Sequence, residues 1–435
     1  MGSTTNPETA ASRPPIASVL PPLILGTATF NTQYVDDPTR MPYQSIVSRA
    51  LDLGVNAFDT SPYYGPSEVL LGDALHHLTE PNTANAKIAG PEGASLQKHP
   101  RESYMILTKA GRITGDCFDY SPAWIRYSVL RSLERLHTPY LDLVYCHDVE
   151  FVSPAEVLAA VKELRRLRDE DEVVRYVGIS GYPVDVLCEL AEMIQRETGE
   201  GVDAVMSYCH CTVQNHRLQE LPPLVRFKRA GVSAALNASM LGMGLLTTRG
   251  VDHGPQAAWH PSPPPLRRAC AEMAAAATAA QEKLERLSIR WSLDTWARAG
   301  ARSGLGLSAS DSNSIGASVM GITSLAELEE TWDVWMSVLA ESVPSTALDP
   351  EAAKEASKDV VVNGDKDLQT ASLKRCDQVQ HLIKEKLWPL LGEWRNHSWP
   401  SGGDGFVNDR APEEMGVVPT DDGVIARFEA KKQLG

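Results

Sequence analysis

The chain has 435 residues, 43% of them hydrophobic and 22% charged, which suits a globular protein of one large domain with extensions, or of two domains. Its formal net charge of −15 argues against a nucleic-acid or anionic-membrane partner. No apolar run reaches the ~18 residues of a membrane span.

Residues 1–20 read as a flexible N-terminal segment. MGSTTNPETAASRPP lacks the basic start and apolar core of a secretory signal. It fits the myristoylation pattern at Gly2, but no polybasic stretch follows, and one acyl chain anchors only marginally.

From about residue 22 to 340 runs a strand-then-helix rhythm. Short apolar runs predict strands at Leu23–Gly26, Val55–Asp59, Tyr104–Lys109, Leu141–His147, Val174–Ser180, Ala204–Ser207, Ser233–Asn237 and Ala317–Gly321. Helical patterns lie between them, among them Tyr43–Leu53, Ser67–Leu78, Pro122–Leu136, Ser153–Leu167 and Pro183–Arg196. Ser121-Pro122 and Ser153-Pro154 are start signals, a capping serine followed by proline. Gly54 and Gly231 sit where helices should stop. Eight strands alternating with helices predict a closed parallel (β/α)8 TIM barrel over 21–340. A doubly wound sheet would want G-x-G-x-x-G after the first strand, and LILGTATF lacks it.

Pro81–Pro100 and Arg298–Asn313 read as loop insertions, and residues 341–374 as a flexible polar linker. Residues 375–435 form a C-terminal extension, helical over Cys376–Trp388 and ending in a polar tail. Trp388, Trp394 and Trp399 are expected to dock it on the barrel rather than to build the substrate pocket.

Seven cysteines, an odd number, fit a reduced, cytoplasmic protein. Cys146 and Cys209 fall on strand-like segments, where a thiol is a small core residue. Cys209-His210-Cys211 looks metal-like, but adjacent residues of a strand point to opposite faces, so no metal site is expected.

Three successive predicted strands end in Asp59, Lys109 and His147, and Tyr64 follows the first. Barrel active sites sit at the C-terminal ends of the strands, which places these groups side by side. Each alone reads as a surface charge or a satisfied polar group; the joint placement is what argues for chemistry. A tyrosine hydroxyl with a reference pKa of ~10 needs help to move a proton at neutral pH. An ammonium lowers it, a carboxylate holds the ammonium, and a neutral imidazole orients a substrate oxygen. Such a site lacks a nucleophile, so a redox carrier has to come from outside as a nicotinamide cofactor.

With these residues in place, FDTSPYYG, ILTKAGR, YLDLVYCHDVEF and GITSLAELEET resemble the aldo-keto reductases over about residues 20–340. FDTSPYYG, HDVEF, GISGYP, SYCH and NASMLGMGLLT with AAWHP resemble the branch that oxidises L-galactose or D-arabinose at C1. The resemblance implies a catalytic tetrad of Asp59, Tyr64, Lys109 and His147. It implies Gly26, Thr27 and Ala28 as the floor under the nicotinamide and Ser180 on its carboxamide. Ser239, Leu241 and Gly244 would follow the pyrophosphate, with Glu330 near the adenine.

Three positions depart from the family pattern: Gly181 for an asparagine, Met206 for a glutamine and Ala238 for a stacking aromatic. NADP-preferring members place Lys and Arg where this chain has Gly321 and Glu327, so NAD is the expected cofactor, with NADP as the alternative. The expected partner is a small aldose, touched by Asp148, Trp259 and His260. A general NADPH-dependent aldehyde or ketone reductase and a non-catalytic nucleotide-binding regulatory subunit are the competing readings.

Overall fold

Apolar strands too short to bury themselves singly close into a ring. The strands are β1 (Leu23–Gly26), β2 (Ala57–Asp59), β3 (Met105–Ala110), β4 (Arg112–Thr114), β5 (Cys117–Phe118), β6 (Leu141–His147), β7 (Val174–Gly181), β8 (Ala204–Tyr208), β9 (Ala234–Ala238) and β10 (Ala317–Gly321). In this computed structural model, which describes residues 13–79, 99–303, 305, 315–342, 375–403 and 405–434, the barrel order is β1-β10-β9-β8-β7-β6-β3-β2. All barrel pairs are parallel; β4 and β5 form a separate antiparallel hairpin after β3. The register sets Gly26 opposite Asp59 and His147 opposite Ser180, so the strand ends meet at one mouth.

Helices α1 (Tyr43–Asp52), α2 (Ser67–Thr79), α3 (Pro122–Arg135), α4 (Pro154–Asp169), α5 (Val184–Thr198), α6 (Leu221–Arg229), α7 (Pro264–Ala279), α8 (Leu284–Ser303) and α9 (Leu325–Ser342) belong to the βα repeat. Their starts and stops follow local chemistry. Ser121 Oγ accepts the Trp124 amide, Ser153 and Glu156 form a capping box, and Gly54 and Gly231 carry positive φ. An inner core inside the barrel (Ile24, Leu107, Leu143, Tyr145, Met206, Leu236) is separate from the strand–helix core.

The N-terminal expectation needs correction. Ile16 and Leu20 are buried in the inner core, and the Tyr176 hydroxyl donates to the Pro14 carbonyl, so residues 14–20 are packed rather than loose. Residues 298–303 are also not loop: Ala and Arg favour helix, and an Asp294–Arg298 pair one turn apart carries α8 to Ser303. The rest of that insertion except Leu305, most of Pro81–Pro100 and residues 343–374 lie outside the described residues.

The C-terminal extension is helical over 375–391, widening to a π-turn at Ile383–Leu387. The tail past Pro400 was read only as polar. It ends instead in α10 (Val424–Leu434), whose Arg427 pairs with Glu134 of α3 while Val424 packs against Tyr127 and Leu130. No described helix is long and apolar enough to cross a membrane.

Candidate active site

Asp59 and His147 are the last residues of β2 and β6, and Lys109 is the penultimate residue of β3. Lys109 Nζ donates to Asp59 Oδ1 at 2.6 Å and to the Thr60 carbonyl at 3.0 Å; both side chains are buried. Tyr64 sits on a turn closed by its own amide to the Ser61 carbonyl. Its ring centroid is 4.8 Å from Lys109 Nζ and 5.6 Å from the His147 ring, edge-on at 89°. Ser61 Oγ bonds His147 Nδ1 at 3.0 Å, which leaves Nε2 facing the Asp148 carboxylate at 3.6 Å. The four groups read from the sequence are therefore linked in one chain of contacts, Asp59 to Lys109 to Tyr64 to His147.

Burial, opposed by the Asp148 charge, pushes the His147 imidazole down to about 3, so the ring is neutral near pH 7. Burial raises the Asp59 carboxyl, with Lys109 opposing the shift. The tyrosine departs from the sequence argument. Burial first, then the charges of Asp59 and Asp148, hold the Tyr64 phenol well above its ordinary value, and the opposing cation is Arg112. The Lys109 ammonium is ion-paired with Asp59 at 2.6 Å.

These groups line a cavity of about 930 Å³ at the barrel mouth. Gly26, Ala28, Ser180, Ser239, Leu241, Gly244, Gly321, Glu327 and Glu330 line it, as do Asp148 and Trp259. Thr27 and His260 do not. Thr27 Oγ1 donates to the Asp59 carbonyl and bonds Ser67 Oγ, beneath the floor. His260 bonds Ser262 Oγ and the Gly242 carbonyl at 2.9 Å, so it holds the Ser239–Gly244 loop from behind. Trp259 Nε1 donates to the Gln33 carbonyl and its ring meets Tyr34, a packed position that still faces the cavity.

The cavity fits an elongated dinucleotide. A Cβ on Gly26 would come within 2.8 Å of Val319, so glycine keeps the floor flat. Ser239, Gly242, Met243 and Gly244 have φ of 57°, 57°, 56° and 101°, a tight loop closed by the Gly242, Gly244, Leu245 and Leu246 amides donating to its own carbonyls. Arg249 and Lys283 stand on the cavity wall.

The departure at Gly181 has a local cause. A Cβ there would lie 2.3 Å from Glu150 Oε2, so a larger side chain has to displace that carboxylate. Glu150 accepts the Tyr182 amide and the Ser401 hydroxyl, and burial with nearby Asp148 pushes it up to about 7. Gly181→Ala is expected to cost about 1–3 kcal/mol by overpacking, read as a lowered Tm. An unchanged Tm would mean that Glu150 moves aside freely.

Sequence reasoning missed Arg112, Tyr208, Phe151 and Gln33, all of which line the cavity. ILTKAGR ends in Arg112, and that position was the available signal. It also favoured docking over a pocket role for Trp399. Trp388 does dock, donating to the Val213 carbonyl; Trp399 stacks on Tyr182 at 4.9 Å and lines the cavity with Pro400–Gly402. Gln214 and Asn215 fasten this strap through the Trp394 and His397 carbonyls and Ser398 Oγ. Cys209 lies one residue past β8 with φ of 62°, and His210 bonds Ser207 and Ser398.

The model of the Aldo/keto reductase family matches residues 22–346, the whole barrel. The chain belongs to the aldo/keto reductases. It is an oxidoreductase of a family that uses nicotinamide cofactors. It is 40% identical over 283 residues to a D-arabinose 1-dehydrogenase of Saccharomyces cerevisiae, covering 65% of this chain and 77% of that one. It is 35% identical over 250 residues to an L-galactose dehydrogenase of Arabidopsis thaliana, covering 57% and 68%. Among solved structures, the glycerol dehydrogenase AKR11B4 of Gluconobacter oxydans aligns at 21% identity and a TM-score of 0.49, over 78% of this chain and 97% of that one.

Proposed function

We propose that this reductase is an NAD-linked aldose 1-dehydrogenase that oxidises the C1 hemiacetal hydroxyl of a D-arabinose- or L-galactose-type sugar to the lactone. The observation that carries it is the contact between Tyr64, Lys109, Asp59 and His147 in a cavity whose wall holds Asp148 and Trp259. The relatives named for aldose oxidation support the same substrate class. The intact tetrad speaks against a purely regulatory role.

In this reading a bound nicotinamide supplies the hydride acceptor at the floor. Tyr64 takes the proton from the anomeric hydroxyl, and neutral His147 holds that oxygen through Nε2. Lys109 balances the buried charge of Asp59 beneath the phenol. Trp259 offers an apolar ring face to the sugar. The seven free cysteines suit a cytoplasmic setting.

The NAD preference rests on Gly321 and Glu327, which line the cavity. Glu327 accepts from the Thr323 amide and hydroxyl at 2.7 and 2.8 Å, so its carboxylate is fixed at the start of α9. A carboxylate there suits a ribose hydroxyl and repels a 2′-phosphate. One observation favours the NADPH-dependent reductase as a second reading: Lys283 and Arg286 lie 3.8 and 3.6 Å from Glu330, close enough to draw a phosphate.

The test is kcat/KM with NAD and NADP at one fixed aldose, in wild type and in Glu327→Arg. Wild type should favour NAD. The variant should move the ratio toward NADP by about a decade or more, the scale of one charge-assisted hydrogen bond. A wild type that prefers NADP, or a ratio that does not move, overturns the cofactor assignment.

A further inference from the structure

We propose that Asp148, held by Arg112, reads the C2 hydroxyl of the sugar, so the enzyme selects neutral aldoses that carry that hydroxyl. The inference rests on the aldose reading above and deepens it.

Asp148 follows the last residue of β6 and adopts φ of 56°, a left-handed backbone that non-glycine residues rarely take. That conformation keeps its carboxylate beside His147 Nε2, at 3.6 Å. Arg112 fixes the same oxygen, Oδ2. Its Nη1 ion-pairs with Asp148 Oδ2, and its Nε and Nη2 both donate to the Gly115 carbonyl across the β4–β5 turn. The guanidinium lies flat, 3.9 Å from the Tyr63 ring centroid, with Phe118 and Phe151 at 5.3 and 5.7 Å. The hairpin inserted after β3 thus delivers a charge to the cavity wall and locks its direction. Both side chains are largely buried, 15% and 4% exposed, and both line the cavity.

The chemistry follows from donors and acceptors. The oxygen being oxidised must sit between the Tyr64 hydroxyl and His147 Nε2 to exchange its proton. With Oδ2 turned to Arg112 and His147, the carboxylate offers Oδ1, which only accepts hydrogen bonds and so takes a donor beside the reacting oxygen. A pyranose has two neighbours to its anomeric hydroxyl. The ring oxygen cannot donate; the C2 hydroxyl can. A second anion is unwelcome, because Arg112 is already neutralised by Asp148. Asp148 is therefore a substrate contact, and Arg112 a positioning residue that acts through it.

The experiment compares kcat/KM for D-arabinose and for 2-deoxy-D-erythro-pentose, the same sugar without its C2 hydroxyl, at saturating cofactor. Wild type should favour D-arabinose by about 10- to 100-fold, the scale of a hydrogen bond to a charged group. Removing an electron-withdrawing hydroxyl eases hydride loss, so intrinsic reactivity pushes the opposite way. In Asp148→Asn the ratio between the two sugars should collapse toward one, and in Arg112→Lys it should fall less. Equal use of both sugars by wild type, which needs no variant to fold, overturns the inference. So does a wild-type preference that survives intact in Asp148→Asn. Failure of every aldose with either nicotinamide would instead overturn the aldose reading, and this inference with it.

Discussion

Replacing Tyr64 by Phe is expected to lower aldose oxidation by ~10²–10⁴-fold, the range that positioned proton transfer supplies. The substitution removes one oxygen and keeps the ring, whose edge-on packing with His147 and tilted contact with Tyr63 stay available. Tm and cofactor affinity should therefore hold while kcat falls. The electrostatics add a second signature. Burial, Asp59 and Asp148 keep the phenol protonated well above its ordinary pKa, and only the ionised phenol can accept the substrate proton. In wild type, kcat for oxidation should then climb as pH rises from neutral toward ~10, the ordinary value of the group. The sign is fixed: a raised phenol pKa starves the base form at low pH. Neutral His147, pushed down to about 3, contributes no inflection in that window. A Tyr64→Phe variant that keeps more than about a tenth of the wild-type rate would place the proton transfer elsewhere.

The barrel was legible in the sequence because the buried parallel strands are short apolar runs, two of which end abruptly in a titratable residue. Leu141–His147 shows it plainly: all seven residues are buried and the last is His147. The tetrad was legible for the same reason, since strand ends map directly onto the barrel mouth. What was missed lies where contacts join distant segments. Trp399 reaches the cavity on a strap that Gln214 and Asn215 help to hold, a contact spanning about 180 residues that no local periodicity records. Arg112 was passed over because a hairpin of 2- and 3-residue strands carries too little pattern to separate it from a loop, and only its place at the end of ILTKAGR marked it. His260 misled in the opposite way. A histidine beside a tryptophan looks like a ligand contact, yet its nitrogens bond Ser262 Oγ and the Gly242 carbonyl.

Lys109→Met should be nearly as damaging as the loss of the phenol, and through more than one route. Lys109 and Asp59 form a buried pair, with side chains 3% and 5% exposed, and Asp59 Oδ2 has no other partner. Removing the ammonium leaves a buried carboxylate uncompensated, a change that typically costs about 3–5 kcal/mol unless the acid takes a proton. The Asp59 carboxyl is already raised by burial, and Lys109 is what opposes that rise, so at lower pH protonation relieves part of the cost, while at the alkaline pH where the phenol titrates the carboxylate is ionised. Where Asp59 stays ionised, its charge falls unbalanced on Tyr64 and lifts the phenol further. Residual oxidation should therefore shift to more alkaline pH, alongside a lower Tm. The double variant Lys109→Met with Asp59→Asn separates the two effects. Deleting both charges should restore much of the Tm. If Lys109 acts only by cancelling Asp59, the pH–rate profile should return toward wild type as well. If the ammonium, 4.8 Å from the phenol ring, assists the proton transfer directly, activity should stay low while stability recovers. The single variant decides the basic assignment. An unchanged pH–rate profile in Lys109→Met would show that Lys109 does not tune Tyr64 by either route.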